Sequence, residues 1–182
     1  MGHPIKNPLD VSANNVPRFT MIRELGVLPR DSTMPFGYRV EPWYPPMLPA
    51  YAAVMAASFA NTPEEVNFPD LGSKFGCSDI LQKIADMPTF LSGASWLVLF
   101  NKEPAAIVIS SRIVGAKQGE VLLLAVTPRH RGVEVGKNLL IKALWAFKDH
   151  HMTHAVVKVS QSNRRYTRFL RRAGFHMQQA GK

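Results

Sequence analysis

Between Trp96 and Thr127 three apolar or β-branched runs follow one another, Trp96–Phe100, 105–113 and 120–127. They are joined only by Asn101-Lys102-Glu103-Pro104 and Gly115-Ala116-Lys117-Gln118-Gly119. Connectors this short, with Gly and Pro, allow a tight reversal and little else, so the runs predict an antiparallel meander. The pattern then changes. Val135, Leu139, Leu140, Ala143, Leu144 and Phe147 recur at helical spacing, and His154–Ser160 reads as a strand. Tyr166, Phe169, Leu170 and Ala173 lie at i, i+3, i+4 and i+7 of a second amphipathic helix over 163–173, which Gly174 ends before a short strand over 175–179. A meander feeding helix, strand, helix, strand is an α/β (α+β) arrangement: one mixed sheet with helices packed against it.

Upstream, residues 37–43 predict a first strand and 50–61 a helix closed by Asn61-Thr62-Pro63; Ser78 or Asp79 is the expected N-cap of a second helix. Nine of the 14 prolines precede residue 50, so residues 1–36 are expected to be an irregular arm and 37–182 the folded domain. The chain has the length of one domain.

Charge is distributed unevenly. Residues 128–182 carry twelve of the 22 Lys and Arg but only Glu134 and Asp149 among the acids, whereas residues 1–127 carry ten basic and eleven acidic residues. The net charge of +9 therefore resides in the last third and calls for an anionic partner: a phosphorylated cofactor, a nucleic acid or an acidic protein. The lone cysteine, Cys77, makes neither an internal disulfide nor a thiolate metal site, and fits a reducing, cytoplasmic setting. No signal peptide is expected, and the uncharged stretch 42–63 is broken by Pro45, Pro46 and Pro49, so no membrane span is expected either. His150, His151 and His154 straddle a helix end without a carboxylate cluster, and no metal is expected.

The stretch 121–136, VLLLAVTPRHRGVEVG, runs strand, Pro, basic turn, helix. A helix start presents unpaired N–H groups and the positive end of its dipole to an anion, while Gly132 and Gly136 let main chain come close and Arg129, His130 and Arg131 add charge. An ordinary strand-to-helix turn has the same outline. This stretch resembles motif A of the GNAT superfamily of acyl-CoA-dependent N-acyltransferases, whose turn reads Gln/Arg-x-x-Gly-x-Gly/Ala. Here it is Arg131-Gly132-Val133-Glu134-Val135-Gly136, preceded by Val126-x-Pro128. The family's later Asn-x-x-Ala/Ser-x-x-Leu/Phe, followed by Gly-Phe, is similar to Asn163, Tyr166 and Phe169 followed by Gly174-Phe175.

The resemblance spans about residues 37–180 and implies a mostly antiparallel sheet of six to seven strands with about four helices. It implies acetyl-CoA as acyl donor, a small-molecule or peptide amine as acceptor, and transfer by direct attack. Main-chain groups of Arg131, Gly132, Val133, Glu134, Val135, Gly136 and Lys137 would hold the diphosphate. Leu124, Ala125 and Val126 would face the pantetheine arm, with an N–H near Leu124 polarising the thioester carbonyl, and Asn163 would contact the arm. Glu120 matches the offset of the family's catalytic glutamate in its histone-acetyltransferase branch; a solvated hairpin residue is the alternative. Strict alternation would place Glu120, Leu122, Leu124 and Val126 on one face.

Three positions depart from the family. Glu134 stands at the middle glycine of the turn. Leu170 stands where many members carry a proton-donating tyrosine, with Tyr166 one turn earlier. The chain ends about where a seventh strand is due, so that either a partner copy completes the sheet or the edge is open. The competing expectation, from the arginine-rich run 162–175, is a non-catalytic protein of this fold that binds nucleic acid or an acidic partner.

Overall fold

The computed structural model describes Leu9, residues 17–30 and residues 33–178. In chain order the elements are β1 (Arg18–Glu24), β2 (Tyr38–Pro42), α1 (Leu48–Phe59), α2 (Pro63–Asn67), α3 (Lys74–Ala85), β3 (Trp96–Phe100), β4 (Glu103–Arg112), β5 (Gln118–Val126), α4 (Val135–Asp149), β6 (His154–Ser160), α5 (Arg164–Arg172) and β7 (His176–Met177). They build one seven-stranded sheet in the order β2-β3-β4-β5-β6-β1-β7. The expected mixed sheet is therefore present, and its meander β2 to β5 is antiparallel throughout. The pair β5–β6, bridged by α4, is parallel.

Each face of the sheet is covered. Leu139, Leu140, Ala143, Leu144 and Phe147 of α4 and Leu170 of α5 pack with Val98, Ala106, Val108, Val157 and Val159 on one side. Tyr51, Val54 and Met55 of α1 and Cys77, Leu81 and Ile84 of α3 pack with Leu97, Leu99, Ile107, Ile109 and Leu123 on the other. Alternation along β3 and β4 sends successive residues to opposite layers, which is why both strands read as continuous apolar runs.

The structure corrects three expectations. The segment expected to be an irregular arm contains β1, which pairs with β6 along its whole length, from Arg18↔Ser160 to Glu24↔His154, and then with β7 through Met21↔Met177. Met21 is fully buried in the α4–α5 core. The seventh strand expected from a partner copy is supplied within the same chain by β1. Residues 1–8, 10–16 and 31–32 of the expected arm lie outside the described residues. After β1 the chain lies along α4, where Asn138 Nδ2, Trp145 Nε1 and Lys148 Nζ donate to the carbonyls of Thr33, Pro29 and Gly26.

The second correction concerns helix starts. α3 begins at Lys74, four residues before the expected cap, because Ser73 Oγ accepts from the Gly76 N–H. α2 was not expected; Thr62 caps it and Pro63 occupies its first turn.

The third correction is in β5. Ile109 pairs with Leu123 but Ser110 with Val121, so Leu122 is an extra residue, a β-bulge. Val121 packs on the α4 side, Leu122 and Leu123 both on the α1–α3 side, and Leu124 again on the α4 side. Glu120 therefore shares a face with Leu122, not with Leu124 and Val126.

Candidate active site

β5 and β6 pair only at Gln118↔His154, Gly119↔Ala155 and Glu120↔Val156. Beyond these positions β5 runs on to Val126 and β6 to Ser160 without bonding each other. The bulge at Leu122 bends β5, while β6 is held along its other edge by all of β1, so one strand turns and the other cannot follow. The result is a cleft of about 1300 Å³ whose walls include residues 122–126 of β5 and 157–160 of β6.

The N-termini of α4 and α5 meet at this cleft because parallel strands deliver their following helices to the same end of the sheet. The turn into α4 is shaped by two left-handed residues, Gly132 at φ +86° and Glu134 at φ +63°. Nothing lies within 4 Å of a Cβ built on Gly132, so its dihedral and not space selects glycine. At Gly136 the constraint is contact: an added Cβ would stand 3.1 Å from Val126 Cγ2, so glycine lets α4 sit close on the end of β5.

No side chain caps α4, and its first turn holds no acid. The Glu134 carboxylate points outward, its side chain 64% exposed and its Oε1 taking Lys137 Nζ at 2.8 Å. It does not plug the turn, and the first N–H groups of a fifteen-residue helix stay open to an anion. Arg131 braces the turn: Nε donates to the Val126 carbonyl at 3.1 Å and NH2 to the Ser58 carbonyl at 2.8 Å. Burial, and the like charge of Arg165 from α5, pull its guanidinium below the usual arginine range. Two guanidiniums brought close at two helix starts form a site for negative charge.

Asn163 caps α5, its Oδ1 accepting from the Tyr166 N–H at 3.0 Å while Nδ2 donates to Glu64 Oε1 of α2 at 2.5 Å. Tyr166 stacks on Phe169, ring centroids 6.1 Å apart, and burial pushes its hydroxyl above the usual tyrosine range. Leu170 is fully buried in the core.

Of the residues singled out in the sequence, Leu124, Ala125, Val126, Arg131, Gly132, Glu134, Val135, Gly136, Lys137 and Asn163 line the cleft together. Val133 and Glu120 do not line it. Glu120 is buried and lies 3.4 Å from Lys158 Nζ, on the α1–α3 face. Sequence reasoning missed Glu64, Lys158 and Arg165. The Thr62-Pro63-Glu64-Glu65 run carries a capping-box signature that marks α2 and so brings Glu64 into view; Lys158 alternates with buried valines and has no comparable signal.

A family model for the acetyltransferase (GNAT) family matches residues 71–175, more than half of the chain. The chain belongs to this family. Solved structures of the same fold include a GCN5-related N-acetyltransferase from Sphaerobacter thermophilus, at 16% identity and TM-score 0.64, covering 88% of this chain and 48% of that one. A PaiA N-acetyltransferase from Thermoplasma acidophilum, solved with coenzyme A, shares 18% identity at TM-score 0.62 over 79% of this chain and 92% of that one. Ard1 from Thermoplasma volcanium shares 14% at TM-score 0.61, over 79% and 85%. The chain thus spans about half the length of the first of these. At such identities the likeness is one of fold. No curated protein sequence matches the chain. Among the described residues no helix is long and apolar enough to cross a membrane.

Proposed function

We propose that this protein is an acetyl-CoA-dependent N-acyltransferase that moves an acetyl or other short acyl group to a primary amine by direct attack. The observation that carries the reading is the parting of β5 from β6, which opens a slot between strands leading to an uncapped helix start with Arg131 and Arg165 beside it. An extended chain ending in a diphosphate fits that shape: the main chain of β5 serves as a strand edge for the arm, and the N–H groups around Gly132 and Gly136 serve the phosphates. The donor, when bound, supplies an acyl carbon activated as a thioester.

The residues divide the remaining work. The main chain near Leu124 orients the carbonyl and offers an N–H to the oxygen on which charge develops. Arg131, fixed to the ends of α1 and β5, keeps the phosphate turn in register. An alkylamine is almost wholly protonated at neutral pH, so a base is needed. Glu120 is the candidate, facing the α1–α3 side from which the acceptor enters in this reading. Lys158, whose Nζ lies 3.4 Å from the Glu120 carboxylate, lines the cleft while Glu120 sits behind it, so the amine proton reaches Glu120 through water. Tyr166, held protonated by burial, is the candidate donor to the departing sulfur in place of Leu170.

Isothermal titration with acetyl-CoA, paired with a thiol-release assay across an amine panel, tests the proposal. Micromolar binding with amine-dependent thiol release is expected; no heat at about 1 mM ligand overturns it.

A further inference from the structure

Glu64 and Glu65 are neighbours in the first turn of α2 and do different things. Glu65 serves the helix: its N–H donates to Thr62 Oγ1 and its Oε2 accepts from the Asn61 N–H at 2.6 Å. Glu64 has no such task. It reaches over the cleft to Asn163, a neutral amide, and among the described residues it forms no salt bridge, although nine Lys and Arg side chains line the same cleft. A carboxylate without a cationic partner in so basic a cavity has room for a cation supplied by a ligand.

The wall beside it is apolar. Phe59 at the end of α1, Phe68 and Leu71 after α2, and Leu122 of β5 line the cleft and pack on the α1–α3 side of the sheet. Leu122 is the bulge residue and precedes Leu124 by two positions, so about 7 Å of strand separates this wall from the main chain assigned to the thioester. The wall also accepts positive charge against a ring: the Arg18 guanidinium, whose NH1 donates to the Leu9 carbonyl, lies 5.6 Å from the Phe68 centroid.

Resting on the acyltransferase reading above, we infer that the acceptor is a primary amine on a compact apolar body. Glu64 recognises the ammonium, and Phe59, Phe68, Leu71 and Leu122 receive the body. Glu64 is here a specificity and positioning residue: it selects the charged amine and delivers it to the face where Glu120 and Leu122 lie. An acceptor carrying a phosphate or carboxylate beside its amine brings a like charge to Glu64 and is disfavoured there.

The test uses the full chain saturated with CoA, titrated calorimetrically with phenethylamine and with glucosamine 6-phosphate. Phenethylamine is expected to bind at least about tenfold more tightly. Glu64→Gln keeps an oxygen for Asn163 and removes only the charge. It should weaken phenethylamine about tenfold, with the CoA Kd changed less than about threefold and any loss in turnover appearing in KM, not kcat. Equal or stronger binding of the sugar phosphate overturns the inference. So does no phenethylamine binding at about 10 mM, or an effect of Glu64→Gln on phenethylamine below about threefold. Failure of CoA itself to bind the wild-type chain sinks the acyltransferase reading; failure of amine recognition with CoA bound sinks this inference alone.

Discussion

The two sides of the cleft are built differently. The side assigned to the acyl donor comes from one continuous piece of chain, β5 through α5, and its polar groups are chiefly main-chain N–H groups at helix starts. The side assigned to the acceptor is assembled from α1, α2, the turn after it and the bulge of β5, and it acts through side chains. A main-chain cradle needs particular backbone shapes, so it restricts residue types at fixed spacing. A side-chain pocket needs only that certain groups arrive at one place, and many sequences do that. The side assigned to the donor therefore constrains its sequence closely, and the side assigned to the acceptor leaves its own freer.

Substitutions on the two sides sharpen this contrast. The largest effect is expected from the strand that ties the sheet together: Met21→Ala, deleting a fully buried side chain from β1, should cost about 2–4 kcal/mol in urea unfolding. A loss under about 0.5 kcal/mol would return this segment to the status of an arm. Next comes Glu120→Gln, expected to lower kcat about a hundredfold with the acetyl-CoA Kd unchanged; an unaltered kcat removes Glu120 from catalysis. Arg165→Ala should weaken acetyl-CoA about tenfold and leave the stability of the free protein unchanged or slightly raised, since it relieves the charge beside Arg131. Its affinity should also depend less on salt than that of the wild type. The smallest effect is expected at Glu134→Gly. Relief of a left-handed non-glycine residue should raise stability by up to about 1 kcal/mol, and loss of the nearby carboxylate should tighten acetyl-CoA about two- to threefold. Weaker binding would mean that Glu134 holds the turn in shape.

What could be read in advance follows the same division. The meander, α4, β6 and α5 were legible because their apolar periods are local and uninterrupted, and the turn into α4 because Pro128, Gly132 and Gly136 mark backbone shapes. β1 was hidden: Phe19 to Ile22 is a short apolar run among prolines, and its partners in β6 lie 130 to 142 residues later, a pairing no local window contains. The bulge at Leu122 was hidden as well. In Val121-Leu122-Leu123-Leu124 every residue is apolar, so nothing in composition tells which one is extra, and the faces of Glu120 and Leu124 came out wrong as a consequence. The capping box of α2 marks the helix that carries Glu64, but no local pattern shows that Glu64 reaches Asn163, 99 residues later.

The crystal structure of the complex with acetyl-CoA tests the central claim most directly. The account expects the pantetheine arm between residues 122–126 and 157–160, and the diphosphate on the main-chain N–H groups of residues 131–136 with Arg131 and Arg165 beside it. A donor bound elsewhere, or strands β5 and β6 closed onto each other with the helix start left empty, would contradict it.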